Sequence, residues 1–73
     1  MENIKSKIEE INSEIKNIND MCVEELIKAI KSFTSDTTEK KRNLIIKSIT
    51  DKYALLAYEK QQEIEALKNN SNQ

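Results

Sequence analysis

The sequence predicts an all-α fold, an antiparallel two-helix hairpin of coiled-coil type that dimerisation completes as a four-helix bundle. The 73 residues include no glycine and no proline, the two residues that most often interrupt helices. Isoleucines recur at alternating intervals of four and three, which is the a/d spacing of a heptad pattern: Ile4, Ile8, Ile11, Ile15 and Ile18. A comparable stripe returns between Ile46 and Leu67. Two long helices that pair along these stripes account for the pattern.

Helix one is predicted over residues 3–33. Its apolar stripe stays within an arc of about 80° at about 100° per residue. Val23, Ile27 and Ile30 widen the apolar face in the second half of the helix. The first half of the helix therefore has the narrow apolar stripe of a coiled coil, and the second half has the wider apolar face of a helix in a globular core. The full stripe is Ile4, Ile8, Ile11, Ile15, Ile18, Cys22, Leu26, Ala29 and Phe33.

A three-helix alternative breaks this first helix near residues 17–20. Asn17, Asn19 and Asp20 are poor formers of helix interiors, and Asp20 could cap a new helix with Glu24 in its first turn. We favour one continuous helix, because the apolar stripe crosses the supposed break without interruption.

The connection is predicted at residues 34–36, where short side chains that hydrogen-bond to the backbone are clustered. Asp36 could cap the second helix, with Glu39 reaching back as in a capping box. Helix two is predicted over residues 37–68, so that one hairpin domain spans residues 1–68. Residues 69–73 have nothing to bury, and we expect them to form a disordered polar tail.

Helix two carries apolar side chains on two faces. The main face pairs with helix one and consists of Ile45, Ile46, Ile49, Tyr53, Leu56, Ala57, Ile64 and Leu67. A second face holds Leu44, Ala54, Leu55 and Tyr58. One partner helix cannot cover both faces, so we predict that the second face is a protein interface.

The small size predicts association with another chain. A domain of this length usually buries about 60% of the surface that its unfolded chain exposes, and its stability is marginal. Cys22 is the only cysteine and there is no histidine, which excludes an internal disulfide and makes a zinc site improbable. We therefore expect a homodimer, with a further protein partner. We expect no metal, no cofactor and no catalytic residues, because no motif for any of them is present.

Two residues on the stripes allow more than one interpretation. Lys60 lies between Ala57 and Ile64 on the main face of helix two, where it could select a register or a partner. We favour the alternative that its stem lies along the seam while its ammonium group reaches Glu14 or another carboxylate. Cys22 lies on the stripe of helix one and is expected to be an inert core thiol.

A basic patch is predicted at the turn end of the hairpin, formed by Lys28, Lys31, Lys40, Lys41, Arg42 and Lys47. It supports an alternative function, a small dimeric regulator that binds nucleic acid through this end. The formal net charge of the chain is −1, no aromatic residue is interleaved with these bases, and only one of them is arginine. We therefore expect a solvated face and consider nucleic-acid binding the weaker hypothesis.

The preferred functional prediction is a non-enzymatic interaction protein that acts as an adaptor, an inhibitor or an assembly factor. No apolar run approaches the ~20 residues needed to cross a bilayer, and the first residues lack the features of a secretion signal, so we expect a cytoplasmic protein without membrane contacts. Isoleucine, lysine and asparagine make up 30 of the 73 residues, a bias typical of AT-rich codons, which hints at a low-GC bacterium, its phage or plasmid, or an AT-rich parasite.

Overall fold

The computed structural model describes residues 2–71, with side chains described for residues 3–70. Helix α1 spans Glu2–Ser32 and helix α2 spans Glu39–Ser71. The two helices pack antiparallel along their length, which confirms the predicted all-α hairpin. Met1, which begins the predicted domain, and residues 72–73 of the predicted tail lie outside the described residues.

The hairpin is elongated, with principal extents of 57 × 16 × 8 Å and a radius of gyration of 17.0 Å. A compact domain of this length would have a radius of gyration of about 11 Å. The accessible surface is 5925 Å², whereas a monomer of this mass typically exposes about 4,700 Å². A single pair of helices thus leaves more surface in water than an ordinary small domain does.

Helix α1 is continuous from Glu2 to Ser32, so the three-helix alternative is wrong. Near its end the Ser32 hydroxyl donates to the Ala29 carbonyl at 2.7 Å. The backbone N–H of Phe33 donates to the Ile30 carbonyl at 3.2 Å, which closes the last turn with a tighter i→i+3 bond. The helix therefore ends one residue before the predicted end, and Phe33 lies just past it.

The connection is held by reciprocal bonds between two threonines. The Thr37 N–H donates to the Thr34 carbonyl at 3.0 Å, and the Thr34 N–H donates to the Thr37 Oγ1 at 3.0 Å. Asp36 lies inside this turn, where its backbone N–H donates to Thr34 Oγ1 at 3.3 Å. The predicted Asp36 cap is wrong, because this turn places Asp36 two residues before the capping position that precedes Glu39.

Thr38 caps helix α2 instead. Its Oγ1 accepts a hydrogen bond from the Lys41 N–H at 3.1 Å, and its carbonyl accepts from the Arg42 N–H at 2.9 Å. This is the usual N-cap geometry, in which the side-chain oxygen satisfies an N–H that has no intrahelical partner. Helix α2 accordingly begins at Glu39, two residues later than predicted.

The predicted disordered tail is wrong for residues 69–71, which continue helix α2 as far as Ser71. Adding a residue to an existing helix closes one more hydrogen bond while ordering only that residue, so propagation is much easier than nucleation. Asn69, Asn70 and Ser71 are weak helix formers, but none breaks a helix as glycine or proline does.

The core is the seam between the two stripes. Among residues 3–70 the buried side chains are Ile11, Tyr53 and Ile64. The remaining members of the predicted α1 stripe are half-buried, as is the predicted main face of α2 except for Leu56. Leu56 is 39% exposed. Within residues 2–71, neither helix contains an apolar segment long enough to cross a membrane.

We predict that Thr38→Ala lowers the free energy of unfolding by about 1 kcal/mol, because it removes the N-cap acceptor of α2. Asp36→Ala should change it by less than about 0.5 kcal/mol, since Asp36 uses its backbone in the turn. Urea unfolding followed by circular dichroism measures both values. A larger loss for Asp36→Ala than for Thr38→Ala would contradict the observed cap.

Candidate interaction surface

Eight large apolar side chains are exposed to solvent, and they are confined to two segments of the chain. The segment of α1 spans residues 21–30 and the segment of α2 spans residues 44–58. No large apolar side chain of the remaining described residues is exposed to this degree. The eight are Met21, Val23, Ile27, Ile30, Leu44, Leu55, Leu56 and Tyr58.

Polar contacts between the helices show that these two segments lie side by side. Glu25 contacts Lys52 and Tyr53, and Glu14 contacts Lys60. Because the helices are antiparallel, this register sets Val23 approximately level with residue 54. The exposed apolar residues are therefore gathered in the turn-proximal two-thirds of the hairpin.

The predicted interface residues lie on the outer face of α2. Leu44, Leu55 and Tyr58 are 60%, 59% and 61% exposed, and Ala54 beside them is also exposed. In helical projection the three large side chains point roughly 180° away from Tyr53 in the core, with a spread of about 60°. The fold of this chain therefore leaves the outer face of α2 accessible to a partner.

The exposed residues of α1 lie on a different face. At about 100° per residue, Val23, Ile27 and Ile30 project roughly 80° to 140° from the centre of the α1 stripe. Met21 projects to the opposite flank. The apolar surface of the hairpin is thus divided between the outer face of α2 and one flank of α1.

A polar cluster missed by sequence reasoning closes one edge of the seam. The Tyr53 hydroxyl donates to Glu25 Oε2, which also accepts from Lys52 Nζ at 3.2 Å. The Lys52 ammonium lies 4.8 Å from the centre of the Tyr53 ring, within the range of a cation–π contact. A tyrosine predicted to lie in the core needs a hydrogen-bond partner for its hydroxyl, and this need was the sequence signal that could have indicated the cluster. The identity of the partner depends on the register between the helices.

These contacts shift the ionisation of all three groups. The hydrogen bond from the Tyr53 hydroxyl lowers the pKa of Glu25 below its ordinary value, and the Lys52 ammonium lowers it further by a smaller amount. The bond to Glu25 raises the pKa of Lys52. The bond to the Glu25 carboxylate also raises the pKa of Tyr53, because ionisation would place two negative charges together.

Lys60 reaches across the seam to Glu14, with 2.9 Å between Nζ and Oε1, and lies 3.7 Å from Glu63 Oε2. This confirms the interpretation in which the lysine stem follows the seam and its charge pairs with a carboxylate. The hydrogen bond to Glu14 raises the pKa of Lys60. The lysine therefore stays protonated near neutral pH.

The six bases of the predicted basic patch are exposed and lie in the last turns of α1 and the first turns of α2. They share one end of the molecule but not one face. Lys40, Lys41 and Arg42 are consecutive, so they project about 100° apart around the helix axis. Lys47 is paired with Asp51 at 2.9 Å. The bases surround the turn end instead of forming the continuous stripe that tracks a nucleic-acid backbone.

Two further features lie along the seam, a cleft and a free thiol. A cleft of about 470 Å³ lies between the helices toward the open end, where Lys60 forms ion pairs with both Glu14 and Glu63. Within residues 2–71, no three His, Cys, Asp or Glu residues are grouped to hold a metal ion. Cys22 is a half-buried free thiol on the α1 stripe. Its position fits the role of an apolar packing residue.

We predict that Glu25→Gln removes a stabilising contribution that depends on pH. A carboxylate whose pKa is lowered on folding stabilises the fold above its unfolded pKa, about 4.3, and this contribution is lost as the pH falls through the folded pKa. The difference in unfolding free energy between wild type and Glu25→Gln should therefore be largest near neutral pH and shrink below pH ~4. Chemical unfolding at several pH values measures it.

The matched control is Glu24→Gln, which removes an exposed carboxylate from the adjacent position of α1. It should produce a smaller change in the free energy of unfolding, because exposed charges contribute little to stability. Equal pH profiles for the two variants would contradict the stabilising role of the Glu25 cluster.

Comparison with models of protein families, with curated proteins and with solved structures found no match for this chain.

Proposed function

We propose that this chain is a non-enzymatic interaction protein, a helical hairpin that pairs with a second copy as a four-helix bundle. Through its exposed apolar surface it also binds a protein partner, as an adaptor, an inhibitor or an assembly factor does. The observation that carries the proposal is the roughly 60% exposure of Leu44, Leu55 and Tyr58 on the outer face of α2. Such a surface on so small a chain is typical of an interface.

The energetics support association. Complete burial of a leucine contributes about 1.5–3 kcal/mol, so a side chain that is 60% exposed retains about 1–2 kcal/mol for a partner to recover. The described part of the chain buries only Ile11, Tyr53 and Ile64. A partner that binds the folded hairpin stabilises it by mass action, which compensates for the small core.

The composition of the outer face also fits a protein partner. Tyr58 combines a large apolar ring with a hydroxyl and is the type of side chain enriched at interface centres. Leu55 lies beside it, and Lys47 and Asp51 form an exposed ion pair on the same side of α2. Apolar centres with charged residues around them are the usual anatomy of an interface.

The ionisation of the paired groups supports a non-enzymatic role. A general acid or base works best when its pKa lies near the working pH. In this chain the pKa of Glu25 is lowered and the pKa of Lys60 is raised, so both shifts move away from neutrality. These groups are suited to ion pairing and not to proton transfer near pH 7.

We predict that the wild-type chain self-associates at ~100 μM and that its melting temperature rises with protein concentration. Replacing Leu55 and Tyr58 together by Glu should convert the assembly to monomer, because two charges would have to be buried in the contact. Sedimentation equilibrium and thermal unfolding measure the two effects.

The matched control adds two glutamates elsewhere, by Asn12→Glu and Asn17→Glu on exposed positions of α1. It should leave the assembly unchanged. A wild-type chain that is monomeric at ~100 μM would remove self-association and leave a different protein as the occupant of this surface.

Nucleic-acid binding is the second candidate, favoured by the gathering of six bases at the turn end. We predict no mobility shift of duplex DNA or RNA hairpins by sub-micromolar protein at ~150 mM salt, because the bases do not form one face and the net charge is −1. A shift that weakens steeply with salt and disappears when Lys40, Lys41 and Arg42 are changed to Ala would instead support this candidate.

A further inference from the structure

We propose that the second copy lies antiparallel, with the outer face of its α2 against the outer face of α2 in the first copy. In this arrangement Leu44 of each copy packs against Leu55 of the other, and the two turns point in opposite directions. The inference rests on the self-association proposed above and adds to it the face, the orientation and the register of the contact.

A second heptad pattern on α2 defines the contact. Exposed residues recur on its outer face at intervals of three and four, the spacing of a coiled-coil seam, and we name them the outer seam: Lys41, Leu44, Ser48, Asp51, Leu55 and Tyr58. They stay within an arc of roughly 100°, centred opposite Tyr53. The outer seam is therefore suited to pairing with a helix other than α1.

Pairing this seam with an antiparallel copy of itself places complementary residues opposite each other. When Leu44 lies level with Leu55 of the second copy, Ser48 lies level with Asp51 and Lys41 lies level with Tyr58. The leucine pairs bury apolar surface. The serine hydroxyl can donate to the carboxylate, and the lysine can lie over the aromatic ring.

A parallel arrangement would place like residues opposite each other. Asp51 would face Asp51, and Lys41 would face Lys41, at separations shorter than the Debye length of ~8 Å. In the antiparallel arrangement the carboxylate of Asp51 faces a neutral hydroxyl and keeps its own Lys47 at 2.9 Å. The polar residues in the middle of the outer seam thus select the antiparallel orientation.

The distribution of charge along the hairpin agrees with this choice. Residues 21–52, around the turn, contain seven bases and five acids, whereas the rest of the chain contains five bases and eight acids. A parallel pair would bring two basic turn ends together. An antiparallel pair separates them and sets each basic end beside the more acidic portion of the other copy.

The exposed residues of α1 do not belong to this contact. Val23, Ile27 and Ile30 project from the flank of α1, about 80° to 140° from the stripe that contacts α2. This separation allows the proposed seam to be distinguished from a bundle in which the two hairpins stack through the α1 flank.

Distance measurements between spin labels test the orientation. All samples carry Cys22→Ser, and single labels are attached at Lys40→Cys or at Gln61→Cys, two exposed positions of α2. In the antiparallel register these two positions lie within two residues of each other, about 3 Å along the helix axis, so an equimolar mixture should show a new distance of ~10–20 Å. Each variant alone should show ~30 Å, from the rise of about 1.5 Å per residue. A parallel pair would reverse the two results and overturn the proposal.

Substitutions at Ser48 test the register. Ser48→Lys places an ammonium group opposite Asp51 of the second copy, twice per dimer by symmetry, and should tighten dimerisation about 3- to 10-fold. Ser48→Asp is the control and should weaken it. A Ser48→Lys variant that dimerises more weakly than wild type would contradict the antiparallel register, since in a parallel pair the two lysines would face each other.

Single charges on the two faces separate this inference from the proposed function. Leu55→Glu should raise the dissociation constant of the dimer at least ~10-fold, whereas Ile27→Glu should change it less than ~2-fold. A large effect of Ile27→Glu with a small effect of Leu55→Glu would show association through the α1 flank. That result would overturn the proposed contact through the outer seam and leave self-association in place. A wild-type chain that is monomeric at ~100 μM would overturn both.

Discussion

The packing of one apolar stripe of α1 against one apolar stripe of α2 is the interaction on which the rest of the structure depends. It buries Ile11, Tyr53 and Ile64, brings the other stripe residues to half-burial and sets which residues lie level across the hairpin. Each helix is stabilised by packing against the other, because the burial of an apolar face supplies more of the stability of a helix in water than intrinsic propensity does. The positions of the polar contacts and of the exposed surfaces follow from the register of this seam.

A structure of two helices can bury only one stripe on each of them. Apolar residues on any other face have no place inside the monomer, which is why Leu44, Leu55 and Tyr58 remain exposed on α2 and Ile27 and Ile30 remain exposed on α1. These residues all lie in the turn-proximal two-thirds of the hairpin, so that this part carries the exposed large apolar side chains of the described residues. This distribution is the physical basis for proposing association through that part.

Charged and polar side chains border the seam and connect the two helices. Glu25 joins Tyr53 and Lys52 at one level, and Glu14 joins Lys60 at another, so that each contact links one helix to the other. Several such links hold antiparallel helices in one register, because a shift by one turn would separate all of them. The same contacts stabilise the ionised forms of Glu25 and Lys60.

The sequence by itself determined the two helices, the stripe of each and the exposure of Leu44, Leu55 and Tyr58, because a 3.5-residue period translates directly into faces of a helix. The use of those three residues as an interface stays a prediction. Tertiary structure decided the partners of Glu25, which depend on the register between helices. Backbone geometry in the turn decided that Thr38 and not Asp36 caps α2. Spacing along the chain specifies directions around one helix axis, whereas contacts between two helices exist only once their relative position is set.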